Sequence, residues 1–135
     1  MADWDGAGFE SAIPLAKTLG ISFQTTEPEL VKARLNWSDG LCTTGGMLHG
    51  GVLMALADTT GAACAFMNLP EGAGGTTTIE SKTNFLRAVR EGFVESTSKP
   101  LHVGRTVIVV ETDLRDHHAN LVARVTQSQL VLQPR

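Results

Sequence analysis

The sequence predicts an α+β fold in which one antiparallel sheet of about five or six strands wraps around a single long apolar helix. The order of elements along the chain is a short helix, two strands, a long apolar segment and then about four more strands. The long segment, residues 50–66, is rich in Ala, Leu and Met and is apolar on every side. A helix of this kind must be covered by other structure, and a curled antiparallel sheet provides that cover.

The elements around the central helix follow from local patterns. Residues 9–19 are predicted to form a short helix that ends at Gly20. Residues 21–26 and 30–37 are predicted to form two strands, and the second alternates apolar and polar side chains. Its apolar face is predicted to carry Val31, Ala33, Leu35 and Trp37. The later strands are predicted over residues 76–87, 93–99, 105–115 and 121–132, with a polar turn over residues 116–120.

Composition limits the domain count and the class of partner. A length of 135 residues and an apolar fraction of 42% predict one folded domain, residues 1–135, with residues 1–8 as a flexible N-terminus. The net charge of −3 and the lack of a basic run argue against nucleic acid or a membrane surface as a partner. We expect no signal peptide, membrane span or CxxC motif, and therefore a cytoplasmic protein.

Asp58 is the most unusual residue of the apolar segment. A carboxylate within an apolar helix is costly unless it is paired or hydrogen-bonded, and buried carboxylates in clefts tend to serve chemistry. Partial removal from water would strengthen this group as a base or nucleophile. We interpret Asp58 as the catalytic carboxylate. The alternative is a structural Asp that caps a loop or bonds to a Thr.

The segment Gly-Met-Leu-His-Gly-Gly over residues 46–51, with Asp58 nine positions after His49, resembles the signature of the PaaI-type thioesterases. Residues 83–92 and 102–105 also resemble that family, so the similarity covers roughly residue 40 to the C-terminus. The resemblance implies the hotdog fold, hydrolysis of an acyl-CoA substrate, no cofactor, and assembly as a dimer or a dimer of dimers. It also implies that Asp58 acts as base or nucleophile and that the Gly50 amide contacts the thioester carbonyl.

Gly50 and Gly51 begin the central helix, where backbone N–H groups have no partner within the helix and the dipole adds positive charge. These amides are predicted to polarise a carbonyl as negative charge develops on its oxygen. The alternative is that both glycines serve tight packing only. Gly50 and Asp58 are eight residues apart, about 12 Å along a helix, whereas reacting atoms must approach to about 3 Å. A two-fold dimer with antiparallel helices brings Asp58 of one chain near Gly50 of the other.

Further polar residues are candidates for the site. His49 is predicted to orient the thioester or to hold its loop, with a structural role as the alternative. Thr78 lies where the family carries a Ser or Thr that positions the water or the carboxylate, and Thr76 and Thr77 are less favoured versions of the same idea. The family has Asn or Gln six positions before the His, but this chain has Thr43, whose hydroxyl is shorter than an amide.

The CoA end of the substrate is predicted from charge alone. Arg87 and Arg105 have guanidinium groups suited to phosphates, with solvated strand-end charges as the alternative. The pair at residues 117–118, His-His, is interpreted as a solvated turn and not a metal site. Two alternative functions remain: a hotdog hydratase or dehydratase, and a noncatalytic protein that binds acyl thioesters.

Overall fold

A computed structural model describes residues 4–134 of the chain. Within these residues a six-stranded antiparallel sheet packs on one long helix, preceded by two short helices. The helices are α1 (Gly6–Ala12), α2 (Pro14–Leu19) and α3 (Gly50–Met67), and a 3-10 turn spans Asp39–Leu41. The strands are β1 (Ser22–Glu27), β2 (Leu30–Asn36), β3 (Gly75–Phe85), β4 (Phe93–Val103), β5 (Val107–Asp116) and β6 (Leu121–Leu132).

The strands run in the order β1-β2-β4-β5-β6-β3, so β1 and β3 are the edges of the sheet. Helix α3 packs against all six strands, and the core lies between them. The predicted inward face of β2 is confirmed for Val31, Ala33 and Leu35, which are fully buried. On β5, Ile108, Val110 and Leu114 are likewise fully buried. A curved antiparallel sheet around a central helix is the predicted hotdog arrangement.

The N-terminal region differs from the prediction in two ways. The single helix expected over residues 9–19 is two helices, because Pro14 at the start of α2 has no N–H to continue α1. Its predicted end at Gly20 is confirmed, with a left-handed φ of 76°. Of the segment expected to be flexible, residues 6–8 belong to α1, and the Trp4 ring lies 5.2 Å from the Phe9 ring and 5.1 Å from the Phe66 ring. Residues 1–3 lie outside the described range.

Helix α3 has one side that the chain itself leaves open. Half of its residues are buried, whereas Gly51, Met54 and Asp58 are exposed at helical spacing along one side, which we name the open flank of α3. The helix is long and apolar enough to cross a membrane by length and composition. Its packing against every strand instead indicates the core helix of a folded domain.

Candidate active site

The start of α3 presents one free backbone donor. His49 is the N-cap, and its Nδ1 accepts the Gly51 N–H at 2.8 Å. Its carbonyl oxygen accepts the N–H groups of Val52 and Leu53. The Gly50 N–H has no acceptor among residues 4–134. A donor that is free at the positive end of an 18-residue helix suits the binding of a developing negative charge.

Asp58 lies two turns further along α3 and contacts two neighbouring strands. Its Oδ1 accepts a hydrogen bond from Thr78 Oγ1 of β3 at 2.7 Å and another from Gln127 Nε2 of β6 at 3.1 Å. Gln129 of β6 donates through Nε2 to Thr78 Oγ1 and accepts from Thr76 Oγ1 at 3.1 Å. The carboxylate is therefore held by a connected polar network.

The prediction that Asp58 is buried is wrong for the single chain. The sequence predicts a carboxylate buried within an apolar helix, but Asp58 lies on the open flank of α3 and is exposed. The composition of the helix is apolar throughout, but its sides differ in burial. One side packs in the core, whereas residues 51, 54 and 58 face outward. Hydrogen bonds from β3 and β6, and not burial, set the position of this carboxylate.

Sequence reasoning missed Gln127 and Gln129. Both are fully buried. The sign that the sequence offered was a polar residue at two inward positions of the predicted strand. Because β6 pairs with β3, its inward residues lie beside Thr76 and Thr78.

The remaining predicted residues lie around this centre without joining its network. Thr43 is exposed in the loop before α3, where its backbone N–H donates to the Met47 carbonyl oxygen at 2.9 Å. Thr77 is exposed on β3 and points away from Asp58, because neighbouring strand residues alternate faces. Arg87 and Arg105 are exposed beyond the ends of strands, and neither side chain hydrogen-bonds to another described residue.

An apolar cavity of about 190 Å³ lies beside the network. Aromatic rings of Trp4, Phe9 and Phe66 form much of its wall. Two lining residues lie close to the carboxylate: Ala62 is one helical turn after Asp58, and Thr76 is two strand positions before Thr78. The other lining residues are Ala12, Ile13 and Ala63. The cavity therefore lies one residue layer from the hydrogen-bonded carboxylate.

Other reactive groups lie away from this centre. Burial raises the pKa of the Cys64 thiol to about 12, which leaves it protonated and unsuited to nucleophilic attack near neutral pH. At the turn after β5, Glu91 approaches His117 and His118, so that one ligand atom from each lies within 4.8 Å of the others. Glu91 comes from the loop before β4, so its approach to this turn could not be predicted from the sequence.

A six-stranded antiparallel sheet around one long central helix places the chain in the hotdog-fold class. The chain belongs to the thioesterase superfamily, whose family model matches residues 45–123. It is 31% identical over 114 residues to a Mycobacterium tuberculosis protein named "Putative esterase", covering 83% of this chain and 81% of that one. The matched family segment ends before Gln127 and Gln129.

Solved structures show the same fold. A thioesterase from Haemophilus influenzae superposes with a TM-score of 0.90 at 25% identity, covering 98% of this chain and 93% of that one. The PaaI protein of the Escherichia coli phenylacetic acid degradation operon superposes with a TM-score of 0.85 at 21% identity, covering 96% and 92%. The second likeness concerns the fold alone, whereas the family model and the first structure confirm the resemblance to thioesterases found in the sequence.

Proposed function

We propose that the protein is an acyl-CoA thioesterase that hydrolyses a thioester to a free acid and CoA. The observation that carries the proposal is the Asp58 carboxylate, hydrogen-bonded by Thr78 beside an apolar cavity, on a helix whose first amide is free. Membership of the thioesterase superfamily supports the class of reaction. The choice of CoA as the thiol rests on the family resemblance and on the exposed arginines at residues 87 and 105.

The proposed roles follow from what each group can donate or accept. The Gly50 N–H donates to the thioester oxygen as negative charge develops there. Asp58 of the partner subunit either takes a proton from a water that adds to the carbonyl carbon, or attacks that carbon to form an anhydride that water opens. In both routes the C–S bond breaks, the CoA sulfur leaves and takes up a proton, and the carbon keeps an oxygen as the free acid.

The division of the site between two subunits is part of the proposal. Gly50 and Asp58 lie on one continuous helix, about 12 Å apart along its axis, so one helix does not place both groups on one carbonyl. The open flank of α3 adjoins β3, a long edge strand with Ile79 57% and Phe85 51% exposed. An unpaired edge with exposed apolar residues favours pairing with a second copy. We propose a dimer with antiparallel α3 helices, and a dimer of dimers by resemblance.

The apolar cavity is the proposed site of the acyl group. Its position one residue layer from Asp58 and Thr78 allows the acyl carbon to reach the carboxylate while the acyl tail enters the cavity. Aromatic walls favour an aromatic or compact apolar acyl group, because ring contacts add to the gain from burial. Arg87 and Arg105 are proposed to meet CoA phosphates outside the cavity. A cytoplasmic location fits the two free thiols, Cys42 and Cys64.

The direct test is a panel of acyl-CoA substrates assayed for release of free thiol. We expect thiol release with at least one acyl-CoA, and loss of that release in Asp58→Asn. A blank without substrate corrects for the partly exposed Cys42. Hydration of an unsaturated acyl-CoA without thiol release would favour the hydratase alternative. Saturable binding without either reaction would favour the noncatalytic alternative, for which the short hydroxyl of Thr43 is the supporting feature.

A further inference from the structure

Two buried glutamines on β6 hold the proposed catalytic carboxylate. Gln127 and Gln129 are both 0% exposed and lie two positions apart, so they share the face of β6 that looks toward α3. Gln127 donates directly to Asp58 Oδ1, and Gln129 donates to the Thr78 hydroxyl that bonds to the same oxygen. Neither residue lines the apolar cavity, and Gln129 is linked to its wall by the hydrogen bond that it accepts from Thr76.

The donors in this network can be assigned in one consistent direction. A carboxylate only accepts, so Thr78 must give its single hydroxyl hydrogen to Asp58. The Thr78 oxygen then accepts from the Gln129 amide, and the Gln129 carbonyl oxygen accepts from Thr76. The reverse orientation of the Gln129 amide would place its oxygen against Thr78, whose hydrogen is already used. The order Thr76, Gln129, Thr78 and Asp58 is therefore fixed by hydrogen-bonding capacity.

Both hydrogen bonds to the carboxylate end on the same oxygen. Thr78 and Gln127 both bond to Oδ1, and no hydrogen bond to Oδ2 is formed by residues 4–134. Because Asp58 lies on the open flank of α3, Oδ2 is left to face a substrate or a water. Two donors from two strands, aimed at one oxygen, hold the side chain in one rotamer.

Gly61 supplies the space that Gln127 needs. It lies three residues after Asp58 inside α3, where glycine weakens a helix relative to alanine. A methyl group built at Gly61 would overlap the Gln127 amide, in particular its Oε1 atom. That oxygen is buried without a hydrogen-bond partner among the described residues. Helix α3 therefore contains a glycine that weakens it, and β6 contains a glutamine with an unsatisfied oxygen. Together these two residues allow the Gln127 amide to reach Asp58.

We propose that Gln127 and Gln129 are positioning residues that orient Asp58 for catalysis, and that Gly61 is required because it admits the Gln127 amide. The proposal rests on the function proposed above, since it concerns the same carboxylate. The proposal gives β6 a role in catalysis, although no side chain of this strand is proposed to contact the substrate.

The test compares steady-state kinetics of Gln127→Leu and Gln129→Leu with a matched control, Thr112→Val. Thr112 is a buried hydroxyl on β5 that bonds to Ser98 and not to the Asp58 network, so its loss also leaves a buried polar partner unpaired. We expect kcat of the two glutamine variants to fall by about 10- to 100-fold, because small misplacements of reacting groups have effects of that size. KM should stay near the wild-type value, and the control should keep wild-type kcat.

Double variants separate positioning from a general loss of packing. If Gln129 acts through Thr78, adding Gln129→Leu to Thr78→Val should lower kcat little further. If Gly61 matters only because it admits the Gln127 amide, adding Gly61→Ala to Gln127→Ala should also lower kcat little further. Independent, multiplicative losses in both pairs would overturn the proposal, as would wild-type kcat in Gln127→Leu and Gln129→Leu.

Crystal structures of the same variants give a readout that does not depend on turnover. We expect Asp58 to leave its Thr78 contact in Gln127→Leu and to keep it in Thr112→Val. An unchanged Asp58 rotamer in both glutamine variants would overturn the positioning role. If the wild-type protein hydrolyses no acyl-CoA, the proposed function fails, and these structures still decide whether the glutamines orient the carboxylate.

Discussion

Thr78 Oγ1 donates a hydrogen bond to Asp58 Oδ1 at 2.7 Å, which ties the edge strand β3 to the middle of α3. The two residues are 20 positions apart and meet because β3 lies beside the open flank of the helix. In the proposed dimer this edge faces the second subunit. Strand β3 would then both pair the subunits and orient the proposed catalytic carboxylate.

Removal of the Thr78 hydroxyl should therefore slow hydrolysis. A hydrogen bond to a charged group contributes about 1.5–3 kcal/mol, so Thr78→Val should lower kcat by about 10- to 100-fold. Thr78→Ser keeps the hydroxyl and should lose much less. The measurement is kcat and KM of both variants on the best substrate of the acyl-CoA panel. Equal rates for the valine and serine variants would show that the hydroxyl has no part in the reaction.

The sequence predicted the sheet and the central helix, and it singled out Asp58 and Thr78, but it did not predict that β6 contacts the carboxylate. Alternating apolar residues on β2 and β5 report burial directly, so those faces were predictable. Gln127 and Gln129 become neighbours of Asp58 only through the pairing of β6 with β3, a contact between distant parts of the chain. The break between α1 and α2 was predictable from Pro14, because proline has no N–H to continue a helix. The prediction of one continuous helix did not take this into account.

The Gly50 amide is predicted to be the donor to the thioester oxygen. A methyl group in Gly50→Ala should crowd the bound carbonyl and lower kcat, with about 10²-fold as the scale for loss of such a donor. The same methyl would lie 3.3 Å from the Phe85 ring, which is a second possible cause of a loss. Phe85→Leu in the Gly50→Ala background separates the two. Recovery of the rate in that double variant would assign the effect to Phe85 and not to the carbonyl.

The cavity beside Asp58 is predicted to set the acyl preference. Ala62→Phe places a ring in the cavity one helical turn from the carboxylate and should exclude bulky acyl groups. We expect kcat/KM for an aromatic acyl-CoA to fall strongly relative to that for acetyl-CoA. The ratio of the two values, measured for wild type and variant, is the readout. A ratio that stays at the wild-type value would place the acyl group elsewhere.

Self-association is predicted to be required for activity. Ile79→Lys puts a charge on the exposed edge strand β3 and should shift the protein toward monomers with a matching loss of turnover. Leu15→Lys is the matched control, because Leu15 is 50% exposed on α2, away from β3. Light scattering and thiol release on the same samples give both readouts. A wild-type monomer with full activity would contradict the two-subunit site.

The most direct test of the mechanism is Asp58→Asn, which keeps the size of the side chain and removes its charge. An amide neither attacks a thioester nor takes a proton from water near neutral pH, and loss of such a base costs about 10²–10⁴-fold in rate. Steady-state thiol release should be measured beside thermal unfolding and acyl-CoA binding for wild type and variant. We predict a folded variant that binds acyl-CoA and hydrolyses it at least about 10²-fold more slowly. Hydrolysis at the wild-type rate by the folded variant would contradict the catalytic role of Asp58.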